Sequence, residues 1–288
     1  MNWLHDNRCL MGAVEWLTHN IFPVLVFIIS SSLSFEDIAR QLKKKALLVR
    51  AFLAACVVIP LLTALVVKIL NVPMLVGGIL LVSSVTPGDP FDLLEAKGKK
   101  GSIPLAAVLM TLFVVVMPLT VPFWLWVFDG WFKLDLAVAP LSVFGEIAPL
   151  TVVPFLAGIL LNRFLPKAAA ALRPMLEWFF KAALILLVVV FIVPAMRTLL
   201  KFDFNSVAAI FAVITLSLLI GYYAGGSQRQ DRISLATASA IGNLAAVMLI
   251  AHLCYPKVHV WYPLLALVIL RFFVFKFWFI LLRFRIAR

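Results

Sequence analysis

PMLVGGILLVSSVTPGDPFD, residues 73–92, decides the fold of this chain. It begins as an apolar helix and then meets Pro87, Gly88, Asp89, Pro90 and Asp92. From Pro73 to Thr86 is 14 residues, about 21 Å of helix, which is too short to cross roughly 30 Å of hydrocarbon. Either the helix stops at Pro87 and DPFDLLEAKGKK is a loop, or the interrupted stretch stays within the membrane. FDLLEA is helix-prone and apolar enough to continue the span, and the next apolar run starts only at Ile103. Each proline removes a backbone donor and disfavours helix at the residue before it, which frees carbonyls in the preceding turn. Lipid cannot satisfy them. Broken backbone at membrane depth is tolerated where protein or a watery cavity receives it, and ion and substrate sites are built there. Asp89 and Asp92 lie three apart, on one face of any helix that continues through both. Carboxylates inside a membrane are costly unless paired or hydrated, so inside they serve a cation or a proton.

The rest of the composition agrees with a membrane interior. Of 288 residues, 64% are hydrophobic and 13% charged, with mean hydropathy +1.11. A soluble domain carries about 25% charge, so too little polar surface is present to cover a globule. The net charge of +12 does not point to nucleic acid, because the Lys and Arg sit in short loops between apolar runs and not on one soluble face. Cys9, Cys56 and Cys254 show neither metal spacing nor a disulfide framework and read as small apolar fillers. The N-terminus, MNWLHDNRCLMGAVEW, has a weak apolar core and carries Asp6 and Glu15, so a cleavable signal is not expected.

Nine hydrophobic segments can be bounded, at about 17–34, 46–70, 73–95, 103–128, 146–163, 175–200, 204–225, 232–254 and 260–282. One side of the chain collects fifteen loop cations: Arg40, Lys43, Lys44, Lys45, Lys97, Lys99, Lys100, Arg163, Lys167, Arg173, Arg229, Arg232, Arg283, Arg285 and Arg288. The other side has five, Arg8, Lys133, Arg197, Lys201 and Lys257. By the positive-inside rule the first set is cytoplasmic, with the N-terminus outside and the C-terminus inside, in a plasma membrane of the bacterial inner-membrane type. The aromatic clusters FWLWVF (123–128), WF (131–132) and WY (261–262) fall at outer span ends, as interfacial belts do.

A shift of 154 residues places Ile79 on Ile233, Leu81 on Leu235, Gly88 on Gly242 and Asp89 on Asn243. That correspondence pairs the two unusual places in the chain and suggests an inverted repeat, about 17–128 against about 175–285, within a single membrane domain of residues 1–288. The eighth segment, DRISLATASAIGNLAAVMLIAHLCYP, carries Ser234, Thr237, Ser239, Gly242 and Asn243 in a run otherwise of Ala, Leu and Ile. Small residues there also allow close helix packing. Asn243 asks for more, since its amide must find partners and its carbonyl suits a hard cation such as Na⁺ or a polar substrate group. His5, His19, His252 and His259 form no HExxH or comparable cluster, so no enzyme is expected.

FIISSSLSFEDIARQL, VVIPLLTALV, GILLVSSVTPGDPFDLLEAKGKKGSIPLAAVLM and DRISLATASAIGNLAAVMLIAH together resemble the bile acid:sodium symporter family, over roughly residues 20–280. The most specific pieces are the LSFED turn, the PG of the broken third segment and the R-x-S-L-A-x-x-x-x-x-G run. The resemblance implies two inverted repeats, a core domain with two discontinuous helices crossing near the membrane centre, and a panel domain moving against it. Segments two to four and seven to nine would be core, and about 17–34, 146–163 and 175–200 panel. It implies carriage of organic anions with Na⁺. The chain also departs from the family. Where a PGGTASN pattern usually binds one sodium through its Ser and Asn, Asp92 and Leu93 stand. Ala106 and Met110 replace hydroxyls, and the sodium-binding Glu of the eighth segment falls on Ala236, followed by Thr237, Ser239 and Ala240. A carboxylate from Asp92 or Asp89 would then replace the lost one.

The sequence thus predicts an all-α polytopic membrane protein with nine transmembrane helices, acting as a secondary transporter of a small organic anion. Its ion and substrate site is expected at Thr86, Gly88, Asp89, Asp92, Thr237, Ser239, Gly242 and Asn243, with Asp89 and Asp92 as Na⁺ ligands. No cofactor is expected beyond the coupling ion. Since a desolvated carboxylate can carry a proton as readily as it binds sodium, proton coupling stays open, as does a non-transporting receptor of the same fold.

Overall fold

The computed structural model describes residues 8–32, 35–89, 96, 98, 100–134, 136–240, 242–255 and 261–286, whose regular structure is all helix with no strand among them. In chain order the helices are α1 (Arg8–Ser31), α2 (Phe35–Leu42), α3 (Lys45–Leu53), α4 (Ile59–Ile69), α5 (Met74–Ser84), α6 (Ile103–Phe132), α7 (Pro140–Phe164), α8 (Pro166–Leu199), α9 (Phe204–Ala224), α10 (Arg229–Ser239), α11 (Leu244–Cys254) and α12 (Trp261–Ile286). Among the described residues five stretches are long and apolar enough to cross a membrane: 45–69, 103–132, 140–164, 204–224 and 229–254. The chain is an integral membrane protein. Three helices begin well before the apolar segments do, α1 at Arg8, α7 at Pro140 and α8 at Pro166, because a helix can continue past its apolar stretch.

Residues 45–69 form one span with a single wide π turn, Ala54–Val58, between α3 and α4. Pro60 explains it. Its ring has no N–H to return to the Cys56 carbonyl and crowds that carbonyl, so the turn widens. The freed oxygen is not left bare: Trp124 of α6 donates its Nε1–H to it at 2.8 Å, in a buried position.

Helices α1, α7 and α8 pack on one another, while α9 packs on α10, α12 and α4. The interrupted segment α10–α11 lies deepest, with α10 against α9 and α6 and α11 against α5 and α1. Every described residue from Ile233 to Ala251 is buried. A segment covered on all sides needs no polar face, so it reads as uniformly apolar or small, and any polar group in it must bond within the protein.

Contacts tie several of the cation-bearing loops to neighbouring elements. Lys44 meets Asp231 at 2.8 Å, Ser102 N–H reaches the Gln230 carbonyl at 3.3 Å, and Arg173 reaches the Ser31 carbonyl at 2.5 Å.

Candidate functional site at the crossing

The third segment ends as a helix at Ser84, yet the chain from Val85 to Asp89 stays buried, with Thr86 at 0% and Asp89 at 1% exposure. Through Asp89 the break therefore lies inside the protein; residues 90–95, on which the choice between a loop and a continued span turns, lie outside the described residues. Each proline's missing donor is replaced. Helical continuation would have had residue 87 bond the Ser83 carbonyl, but Pro87 has no N–H, and the Thr86 hydroxyl lies 3.2 Å from that oxygen and 3.3 Å from the Val82 carbonyl. Pro90 likewise has no N–H for the Thr86 carbonyl, which accepts the backbone N–H of Asn243 at 2.5 Å. The two interrupted segments thus satisfy one another.

Gly88 turns the chain with φ +95°, a region side chains disfavour, and a Cβ there would press to 3.2 Å on the Met110 carbonyl and on Phe113. Gly242 is required for contact: a Cβ would collide with the Ser83 carbonyl and the Thr86 hydroxyl. Asn243 caps α11, its Oδ1 accepting from Ala246 N–H at 3.2 Å, and its Nδ2 donates to the Gly88 carbonyl at 3.1 Å. Asp89 answers from the other segment: its Oδ2 accepts from Leu244 N–H at 3.4 Å. The N-terminus of α11, buried in the bundle, is therefore met by a resident anion and a side-chain amide, the groups that favour a helix N-terminus.

The same Asp89 oxygen lies 3.1 Å from the Arg271 guanidinium of α12. Arg271 is 8% exposed and stacks over the Phe275 ring at 5.3 Å. Sequence reasoning missed this residue because the topology count considered loop cations only, while Arg50, Lys68, Lys181, Arg271 and Lys276 lie inside apolar segments. The signal was available, since a cation within the apolar run VILRFFVF, residues 268–275, calls for a partner inside the protein.

Of the expected site residues, Thr86, Gly88, Asp89, Gly242 and Asn243 converge at the crossing. Asp89 sits in non-helical backbone, so the shared helix face expected for Asp89 and Asp92 does not exist at Asp89. Asp92 lies outside the described residues. Thr237 is buried and turns its hydroxyl back to the Ile233 and Ser234 carbonyls at 3.1 and 3.0 Å. Ser239 faces a cavity of about 20 Å³ beside the crossing, lined also by Ser83, Ser84, Ser217, Ala240 and Gly242. That is room for about one water. The Ser217 and Ser239 hydroxyls, both buried, have no hydrogen-bond partner among the described residues. Ser217 was not anticipated.

Residues 17–202, well over half of the chain, match the model of the sodium bile acid symporter family. The chain belongs to this family. No curated protein matches the chain at a significant level. The matched region contains the first interrupted segment, and the second, α10–α11, lies beyond it. At the crossing two side-chain oxygens suited to a hard cation are already engaged. Asp89 Oδ2 holds Arg271 and a backbone N–H, and Asn243 Oδ1 holds Ala246 N–H. Electrostatically the crossing is a carboxylate neutralised by a tethered guanidinium.

Proposed function

We propose that the protein is a secondary active transporter that moves an organic anion across the membrane by alternating access, as one inverted-repeat unit of nine transmembrane helices. α1, α7 and α8 form the panel that rocks against the remaining helices. The observation that carries this reading is the crossing itself: two interrupted helices, buried and held together through Asn243, with a neutralised carboxylate at their junction. Interrupted helices crossing inside a bundle are where transporters bind their cargo. The family match supports an organic substrate.

The coupling cation is Na⁺ in the first reading and H⁺ in the second, engaged through Asp89 with Asp92 as a further ligand. Because Arg271 already occupies Asp89, either cation must compete with a guanidinium for it. Coupling then consists of Asp89 exchanging partners, and the charge of the crossing stays near neutral in both states.

The test is uptake into proteoliposomes of a panel of labelled carboxylates and sulfonates under an inward Na⁺ gradient, an inward H⁺ gradient and neither, alongside heat denaturation in Na⁺ against choline. Uptake that concentrates substrate under one gradient and is lost in Asp89→Asn supports that coupling ion. Uptake that only equilibrates under every gradient overturns coupling but leaves carriage. Saturable binding without any movement would make the protein a receptor of the same fold.

A further inference from the structure

At the cation-rich end of the bundle, α3 and the α9–α10 loop enclose an open cleft of about 390 Å³. Cavities of about 300–1,000 Å³ hold ligands of drug size. The cleft is lined by Lys43, Lys44, Lys45 and Arg50 on one side and by the 225–228 backbone and Asp231 on the other. Asp231 is buried and its charge is taken by Lys44 at 2.8 Å. Among the described residues no carboxylate lies within ion-pair distance of Lys43, Lys45 or Arg50, and the first turn of α3 contains no acid. Three exposed cations therefore share one cleft without a counter-charge, an arrangement that costs energy through like-charge repulsion unless an anion enters.

The arrangement is built. Arg50 is tethered by its Nε–H to the Ala46 carbonyl at 3.1 Å, and its guanidinium lies 3.1 Å from where a Cβ of Gly226 would stand, so Gly226, at φ +82°, keeps the guanidinium over the loop. Arg232 fixes the other wall, donating to the Gly226 carbonyl and stacking over Tyr222 at 5.5 Å.

The occupant is indicated by what adjoins the cleft. Val49 and Leu53, beside Arg50 on α3, are about half exposed, and the apolar stripe continues down the span through Val58, Leu61, Leu65 and Ile69. A soluble phosphate would have no use for this stripe. A phospholipid would lay its acyl chains along it while its headgroup phosphate entered the cleft. Anionic headgroups concentrate in the leaflet faced by polybasic segments, and basic pockets between helices on that side bind them. We infer that Lys43, Lys45 and Arg50 form a binding site for the headgroup of an anionic glycerophospholipid. Through the Lys44–Asp231 bond the cleft joins α3 to the first turn of α10, so a bound lipid clamps the inner half of the second interrupted segment.

The experiment uses the full chain, delipidated in detergent and titrated with phosphatidylglycerol, phosphatidylcholine or inorganic phosphate while its thermal transition is followed. Phosphatidylglycerol should raise the transition saturably and phosphatidylcholine should not. Lys43→Gln/Lys45→Gln/Arg50→Gln should weaken the phosphatidylglycerol response on the order of a hundredfold, at roughly a factor of five per cation. A control, Lys100→Gln/Arg163→Gln/Lys167→Gln, removes the same charge from the same end outside the cleft and should keep the response. Equal loss in the control would show general surface attraction and overturn the site. An equal rise with inorganic phosphate alone would overturn the lipid assignment in favour of a soluble phosphate. Should the cleft variant lose its fold, Arg50→Lys, which retains charge but not the fork geometry, takes its place and should weaken binding only partly; an unchanged response there and in Lys45→Gln would also overturn the proposal.

Discussion

Asp89 and Arg271, 182 residues apart in sequence, form an ion pair of 3.1 Å in which the two side chains are 2% and 10% exposed. The pair joins the break of the third segment to the last helix, and it explains how a membrane interior tolerates either charge. Separating buried partners leaves an uncompensated ion, whereas removing both together costs far less.

Arg271→Met is therefore expected to destabilise the protein by about 3–5 kcal/mol, and Asp89→Asn combined with Arg271→Met should recover most of that loss. Thermal denaturation of the two single variants and the double variant in detergent measures the coupling. In Arg271→Met, Na⁺ should raise the transition more than it does in the wild type, because the ion no longer competes with a guanidinium. Additive losses and an unchanged Na⁺ response would show that the pair is not coupled.

Asn243 performs two tasks that substitutions separate. Asn243→Asp keeps the oxygen that caps Ala246 N–H but removes the amide donor to the Gly88 carbonyl and adds a negative charge near Asp89. Asn243→Ser keeps a cap without that charge. Stability is expected to fall in the order wild type, Ser, Asp; loss of a cap or a buried bond costs about 1–2 kcal/mol. An Asp variant as stable as wild type would mean that the Gly88 contact contributes nothing.

Gly242→Ala should impair folding more than Gly88→Ala, although Gly88 has the positive φ. A methyl group at Gly242 meets backbone and the Thr86 hydroxyl of the crossing segment, which cannot move without opening the junction, while at Gly88 the contacts are 3.2 Å. Overpacking of this kind costs about 1–3 kcal/mol or more. Yield of monodisperse protein and its thermal transition, compared for the two variants, give the order.

Trp124→Phe tests the π turn. It keeps most of the apolar contact and removes the donor to the Cys56 carbonyl, so a loss of about 1–3 kcal/mol is expected. Pro60→Ala in the same background supplies the missing backbone N–H and should restore part of it. Without that restoration, Pro60 is not the reason the carbonyl needs Trp124.

Much of the architecture was legible because it follows from one-dimensional quantities. Composition and segment length are properties of the chain in order and give a helical membrane protein, and the shift of 154 residues between Gly88 and Gly242 pairs the two places where the segments meet. The contact between Asn243 and Thr86–Gly88 agrees with that pairing. The site itself was legible only in part. Thr237 and Ser239 were grouped with Asn243 by their shared segment, but helical rotation turns Thr237 to its own carbonyls and Ser239 to a separate cavity. Arg271 shows in sequence only that it needs a partner, and that partner, Asp89, lies 182 residues away.

Read alone, the sequence determines that the chain lives in a membrane, where its helices are interrupted and which prolines free which carbonyls, because composition and backbone chemistry are local. Only the tertiary structure decides what neutralises Asp89, what receives each freed carbonyl and how three cations come to share one cleft. Those are questions of partner choice between residues distant in sequence. In a low-dielectric interior the partner that satisfies a charge or a hydrogen bond is whichever group the packing brings within about 3 Å, and no periodicity along the chain encodes that distance.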